Sequence, residues 1–357
     1  MQNISNKTKI TVCYFGIYNP SYSRNRIFIK GLRQNGAEVI ECTTALNRVS
    51  KYFDLIRKHW KIRKQYDVLV VGYPGQQSMI LARFLTRKPI IFDALVSLYD
   101  SMVNDREVIR RWGVKAIYYF VLDWLASTLA NKVIFDTNAH VDYFAKTFRL
   151  NRNKLKRILI GSDDDVIFPT QGENESMDFL IHFHGCFNPL QGIECIVKAA
   201  KILEKNNIRF DIIGTGQKEE EIKELAKKLG IKNVTFIGHI PYEALKDSIT
   251  KASVSLGVFG NTEKATRVIP NKVYEALATR TPVITGRTPA AAELLTDRKN
   301  VLLCNMGDAE DLANKILELK NDSKLRKSIA KQGYDLFKSK LTPHIVSAEL
   351  LTLIKSL

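Results

Sequence analysis

Arg267, Lys272 and Glu275 fall in one segment, Arg267-Val-Ile-Pro-Asn-Lys-Val-Tyr-Glu-Ala-Leu-Ala-Thr-Arg-Thr-Pro-Val-Ile-Thr285, whose pattern predicts a loop, a helix beginning near Pro270 and a strand. A proline in the first helical turn removes no hydrogen bond, and the free N–H groups at a helix start attract an anion, so Pro270 and Asn271 open a candidate phosphate seat. Lys272 lies in the first turn, where a cation opposes the helix dipole unless an anion is close, and its position calls for an anionic partner. Arg267, in the preceding loop, could approach the same phosphates and form a forked pair of hydrogen bonds. Glu275 lies about one and a half turns into the helix, where a carboxylate can accept two hydroxyl hydrogen bonds from a ribose. A capped, solvated helix fits the same residues.

Two other clusters carry less. His182 and His184 sit two apart on a predicted strand and share a face, but no third ligand follows in the sequence. Hydrogen bonding by a histidine next to Gly185 is therefore expected rather than a metal. Asp163 to Asp165 suit a turn and an N-cap better than a cation site.

The elements that must position these residues alternate. In the first half Ile10 to Phe15, Glu38 to Cys42, Val68 to Val71, Ile90 to Phe92 and Lys132 to Phe135 read as strands. Between them lie helices through Arg24 to Asn35, Arg57 to Lys64 and Met79 to Thr86, and a long helical stretch ending at Leu129. Short β-branched runs separated by helical periodicity indicate parallel sheets with helices on both faces. The pattern restarts after a polar linker, Thr170 to Asp178. Its strands are Phe179 to His184, Arg209 to Ile213, Val234 to Ile237, Val254 to Val258, Pro282 to Thr285 and Val301 to Cys304. The expected fold class is α/β, with two Rossmann-like domains, 1–169 and 170–342, and a ligand cleft at the carboxyl ends of the strands. The helix after Pro343, within 343–357, is either an ordinary terminal helix or a strut crossing back to the first domain.

Composition narrows the class. A chain of 357 residues that is 45% hydrophobic is expected to form two globular domains. Five cysteines without a Cys-x-x-Cys pair fit neither a disulfide framework nor a zinc site, and read as reduced thiols of a cytoplasmic protein. Met1 to Lys9 lacks the apolar stretch of a secretory signal, and Ala116 to Ala130, interrupted by Asp123, is too short to span a membrane. Residues 1–170 hold 27 Lys and Arg against 14 Asp and Glu, a net +13, whereas residues 171–357 hold 27 against 23, a net +4. No nucleic-acid-binding signature accompanies this charge. Basic runs at Arg57 to Lys64 and Arg106 to Lys115, beside Trp112, Tyr118 and Tyr119, point instead to peripheral docking on an anionic membrane surface, or to a merely soluble basic face.

The Pro270 to Glu275 stretch resembles the donor-site helix of glycosyltransferase family 4, in the subgroup with a Pro-Asn-Lys start. Further segments match in the family's order. Gly185-Cys-Phe-Asn-Pro-Leu-Gln-Gly192 is similar to its glycine loop, Ile213-Gly-Thr-Gly-Gln217 to its second strand end, Phe236-Ile-Gly-His-Ile-Pro241 to its third, and Ile160 to Pro169 to its hinge motif. In the first domain Arg24 to Glu41 resembles the family's first helix and second strand, with Ser23-Arg-Asn-Arg26 replacing its paired glycines. The resemblance implies a GT-B fold with the two domains facing each other across a cleft. It also implies retaining transfer from a nucleoside-diphosphate sugar to a glycan or lipid-linked acceptor, without cofactor or obligate metal, in cell-surface polysaccharide or glycoconjugate synthesis.

The resemblance also distributes roles. Gly185, Gln191, Gly214, Gly216, Gly260, Asn261, Pro270, Asn271 and Glu275 fall on the donor side, and Lys272 and Arg267 supply charge. Arg24, Arg26 and His184 face the cleft, and Asp93 either contacts substrate or caps the following helix. Two family positions differ. The Arg and Lys that usually hold the donor pyrophosphate read Cys186 and Gln191, and the earlier of the family's paired glutamates reads Arg267. A catalytically silent GT-B subunit binding a glycan or a partner transferase, and a GT-B sugar-nucleotide epimerase, are the alternative readings.

Overall fold

The computed structural model describes residues 9–170 and 179–357, so the start of the chain and nearly all of the Thr170 to Asp178 linker lie outside the described residues. The chain forms two compact units. The first comprises residues up to Tyr99, Trp112–Leu159 and Pro343–Leu357. Its strands are β1 (Thr11–Gly16), β2 (Glu38–Thr43), β3 (Val68–Val71), β4 (Ile90–Leu95), β5 (Lys132–Phe135) and β6 (Leu155–Arg157), in a parallel sheet of order β2-β1-β3-β4-β5-β6. All four residues of β3 are buried, because a parallel sheet is covered by helices on both faces. The covering helices are α1 (Ser23–Gln34), α2 (Ser50–Ile62), α3 (Gln76–Leu85), α4 (Val114–Leu129), α5 (Asn138–Thr147) and the terminal helix Pro343–Lys355. The terminal helix lies on α1 at Gly31, where a Cβ would come within 2.0 Å of the Pro343 carbonyl. Asn35 and Ser347 tie the pair with side-chain hydrogen bonds to the carbonyls of His344 and Ile27.

The second unit comprises Asp100–Arg111 and Ile160–Thr342. It contains β7 (Phe179–His184), β8 (Ile208–Ile213), β9 (Val234–Ile237), β10 (Val254–Leu256), β11 (Val283–Gly286) and β12 (Leu302–Cys304), all parallel in the order β12-β11-β10-β7-β8-β9. Its helices are α6 (Ile193–Ile202), α7 (Glu219–Lys228), α8 (Tyr242–Thr250), α9 (Asn271–Ala278), α10 (Pro289–Ala292), α11 (Ala309–Asn321) and α12 (Ser323–Lys340). Ile181, Phe183, Ile196, Phe210, Leu256 and Ile284 form the centre of its core. The chain winds outward from β7 in one direction through β8 and β9 and in the other through β10, β11 and β12. The gap beyond the carboxyl ends of β7 and β10 is thus the topological switch point, where open α/β sheets bind ligands.

The division differs in two places from the expected 1–169 and 170–342. The second unit already begins at Ile160, and it takes in Asp100–Arg111. This segment was expected to be part of one long helical stretch ending at Leu129. It instead forms a π-helical turn, Asp100–Asp105, held by Arg267, Thr262 and Lys264. α5 and β6 are further elements beyond those expected from the sequence pattern.

Candidate functional site

β7 ends at the switch point with His184, and α9 starts beside it. His184 Nε2 lies 2.7 Å from Glu275 Oε2, and His184 Nδ1 lies 2.8 Å from His182 Nε2. All three side chains are buried. A carboxylate only accepts, so His184 donates to Glu275 through Nε2, and its Nδ1 shares a hydrogen bond with His182 Nε2. Burial, with the neighbouring His184 and Lys272, holds His182 well below the usual imidazole pKa and keeps it neutral. The carboxylate is thereby fixed in orientation by a two-histidine relay, because alternate residues of β7 point to one side of the sheet.

Lys272 occupies the turn before Glu275. Its ammonium is buried, donates to Gln191 Oε1 and stands 3.7 Å from the centre of the Phe183 ring. Burial drives its pKa well below that of a free lysine, against the opposing pull of Glu275 and Cys186. Three donors on one buried nitrogen exceed what Gln191 and a ring face satisfy, which makes the site receptive to further acceptors. Gly185 is needed here: its φ of +151° disfavours other residues, and a Cβ would lie 2.8 Å from Lys272 Nζ. The next glycine loop packs on the first, since a Cβ at Gly214 would fall 2.0 Å from the Gly185 carbonyl oxygen. Pro270 serves as the extended N-cap of α9 rather than its first helical residue, so the first-turn N–H groups begin at Asn271.

Arg267 lies in a 3-10 turn, Lys264–Arg267, and makes two hydrogen bonds of 2.9 and 2.8 Å to Asp100, with Glu263 at 3.5 Å. Its charge is thus matched within the unit. Lys264, which sequence reasoning missed, is buried on Ser101 and Asp105, and burial lowers its pKa against the pull of Asp105 and Asp100. Gly260 packs under the Pro189–Gln191 turn, and Asn261 is exposed beside Gly307. These two line an open cavity of about 540 Å³ with Gly192, Glu194, Lys198 and Arg106. His184, Lys272 and Glu275 do not line it. Charged and hydrogen-bonding groups converge instead at the β7–α9 junction.

The candidates of the first unit form a separate cluster. Arg24 is fully buried, with Nε 2.8 Å from both Asp93 oxygens, Nη1 on the Ile158 carbonyl and its guanidinium over Phe28. Burial pushes the Asp93 carboxyl up and alone would push Arg24 down. The forked contact, reinforced by Asp136, nevertheless raises the Arg24 pKa, and we read the two as an ion pair. Asp136 also holds His140 at 2.7 Å. Arg26 is half-buried and donates to the Ser21 carbonyl. Asp163 shapes a turn, accepting from the Asp165 N–H.

Residues 165–336 match the family model described as glycosyl transferases group 1. The glycine loops, the histidine relay, Lys272 and Glu275 all lie within the residues matched by this family model. The chain is 26% identical over 229 residues, 63% of its own length, to an uncharacterized glycosyltransferase of Methanocaldococcus jannaschii. It is 29% identical over 185 residues, 51% of its length, to the GalNAc-alpha-(1->4)-GalNAc-alpha-(1->3)-diNAcBac-PP-undecaprenol alpha-1,4-N-acetyl-D-galactosaminyltransferase of Campylobacter jejuni. The matches span 59% and 49% of those relatives. Among solved structures, HepE of Anabaena in complex with UDP-glucose superposes with a TM-score of 0.74 over 98% of this chain and 100% of that one, at 16% identity. The two-sheet α/β architecture is the GT-B fold.

Proposed function

We propose that this chain transfers a sugar from a nucleoside-diphosphate sugar to a glycan or lipid-linked acceptor, with retention of anomeric configuration and without a metal. The observation that carries the reading is Lys272. In the sequence pattern Gln191 stands where a donor-binding lysine is usual, and the buried ammonium of Lys272 reaches Gln191 from α9. A cation is thus restored to the glycine loop from a different element, which favours an active transferase over a silent subunit. The leaving diphosphate gains negative charge as the glycosidic bond breaks. Lys272 and the first-turn N–H groups of α9 are fixed beforehand where that charge develops, which is how a preorganised site lowers such a barrier. Glu275, held by His184, receives the ribose hydroxyls.

HepE binds UDP-glucose, and the Campylobacter jejuni relative is named for an undecaprenol-linked substrate, so a uridine diphosphate sugar and a polyprenyl-diphosphate saccharide are the first pair to try. Thermal unfolding of the purified chain against a panel of nucleotide sugars tests donor binding. A ligand at 100 times its dissociation constant adds about 2.7 kcal/mol of stability. Absence of a shift with every donor would overturn the proposal. Nucleotide release with an acceptor present, unchanged by EDTA, tests transfer and metal independence, and the anomeric configuration of the product tests retention.

A further inference from the structure

Most of the exposed large apolar residues among the described residues belong to the first unit, outside the proposed donor site. Along α4 the side chains of Val114, Ile117, Tyr118, Val121 and Trp124 are all exposed, at the three- and four-residue spacing of a single helix face. The opposite side, with Ala116, Leu122 and Ala126, packs into the unit. Trp112, just before α4, is 85% exposed. α2 shows a second such face, where Phe53, Arg57, Trp60 and Lys61 are exposed at helical spacing; just past its end Lys64 is exposed and the Arg63 guanidinium stacks 3.7 Å over the Trp60 ring. α3 joins the two faces: Gln77 accepts from the Tyr52 hydroxyl of α2 at 2.7 Å and donates to the Tyr118 hydroxyl of α4 at 3.0 Å. Phe84, at the end of α3, is 82% exposed.

All three tryptophans of the chain lie on or directly before these elements and all are exposed. Isolated exposed apolar residues are ordinary, but aromatic residues gathered on adjoining helices mark an interaction surface. The charge around them has one sign. α3 has no acid, the acid of α4, Asp123, is buried, and Asp54 of α2 is paired with Lys58 at 2.7 Å. Apolar and indole side chains flanked by Lys and Arg suit the boundary between headgroups and acyl chains, where rings sit at headgroup depth and long cationic chains reach the phosphates. No helix among the described residues is long and apolar enough to cross a membrane.

We propose that the α2–α3–α4 face of the first unit docks on an anionic phospholipid bilayer, with α4 and Trp112 entering the headgroup layer and the basic residues of α2 lying on its phosphates. The surface stands independently of the sugar-transfer reading.

Because every tryptophan lies on this face, intrinsic fluorescence reports its occupancy directly. Phosphatidylglycerol-containing vesicles should shift the emission to the blue, brominated acyl chains should quench it, and the protein should float with the vesicles. Pure phosphatidylcholine vesicles should bind at least about tenfold more weakly, because the basic residues find no net negative charge on that surface. Ile117→Ser with Val121→Ser should abolish quenching, whereas Arg57→Glu with Lys61→Glu should weaken flotation most at low salt. Melting with UDP-glucose, unchanged in both variants, shows that they fold and keeps this test separate from that of the transferase. Unshifted, unquenched emission with anionic vesicles would overturn the proposal. So would a concentration-dependent dimer that protects the tryptophans without lipid, which would assign the face to a second copy of the chain.

Discussion

Lys272 is the residue whose chemistry is least compatible with an empty site. A buried ammonium is disfavoured by desolvation, and Lys272→Met, which keeps the length and drops the charge, should leave the unliganded fold as stable or more so. The pKa is depressed in the native state, so the unfolded chain binds more protons and wild-type stability relative to the variant rises with pH. Donor binding has the opposite sign. A diphosphate favours the ammonium, so binding takes up protons, and affinity weakens as pH rises from the depressed pKa of the free protein to the higher one of the complex. Calorimetry in buffers of different ionisation enthalpy should show this uptake in the wild type and none in Lys272→Met, which should lose about 1.5–3 kcal/mol, mostly in kcat. A pH-independent affinity in the wild type would place the charge elsewhere. For Glu275→Gln, His184 still finds an acceptor, so the melting temperature should hold while nucleotide affinity falls by about 1–3 kcal/mol. Wild-type affinity in that variant would make Glu275 a structural helix residue.

At the scale of elements, the proposed donor site depends on two glycine loops meeting where β7 and β8 end. Gly214→Ala places a Cβ against the Gly185 carbonyl at φ +136°, so backbone must move; the variant should lose about 2 kcal/mol or more and bind donor poorly. Gly238→Ala, with nothing within 4 Å of the added carbon, is the control and should unfold within about 0.5 kcal/mol of wild type. Equal denaturation midpoints for the two would show that the loops yield. Elements of this type were legible where a local pattern suffices, as in Val68–Val71, whose unbroken apolar run is what a doubly covered strand requires. β6 was not, because its three residues include two basic ones and its strand character comes from pairing with β5. The π-helical turn Asp100–Asp105 is held by residues more than 150 positions away, and no local pattern encodes it. His-x-His before a glycine was visible as a motif, but its link to Glu275 spans 91 positions and exists only once β7 and α9 lie side by side. Arg24 and Asp93 were singled out by place in the pattern, which does not reveal that they neutralise each other in the core.

At the scale of the whole molecule, each unit carries its own proposed ligand chemistry. The proposed donor groups lie in the second unit, within 185–275, and the aromatic-basic face lies in the first, within 50–99 and 112–124. Hydrogen exchange separates them, because a ligand raises the opening free energy of the segments it orders by RT ln(1 + [L]/Kd) and leaves independent segments at their own local stability. A nucleotide sugar should slow exchange at the Gly185–Gly192 loop and through the first turns of α9, whose backbone N–H groups it covers. Anionic vesicles should slow exchange along α2 and α4, with the α9 amides unchanged. The slowest amides of β3 and β7, buried in each sheet, should serve as internal references in both experiments. Protection of α9 by vesicles alone, or of α4 by the nucleotide sugar alone, would mean that the two surfaces are coupled and that neither can be assigned from its own residues.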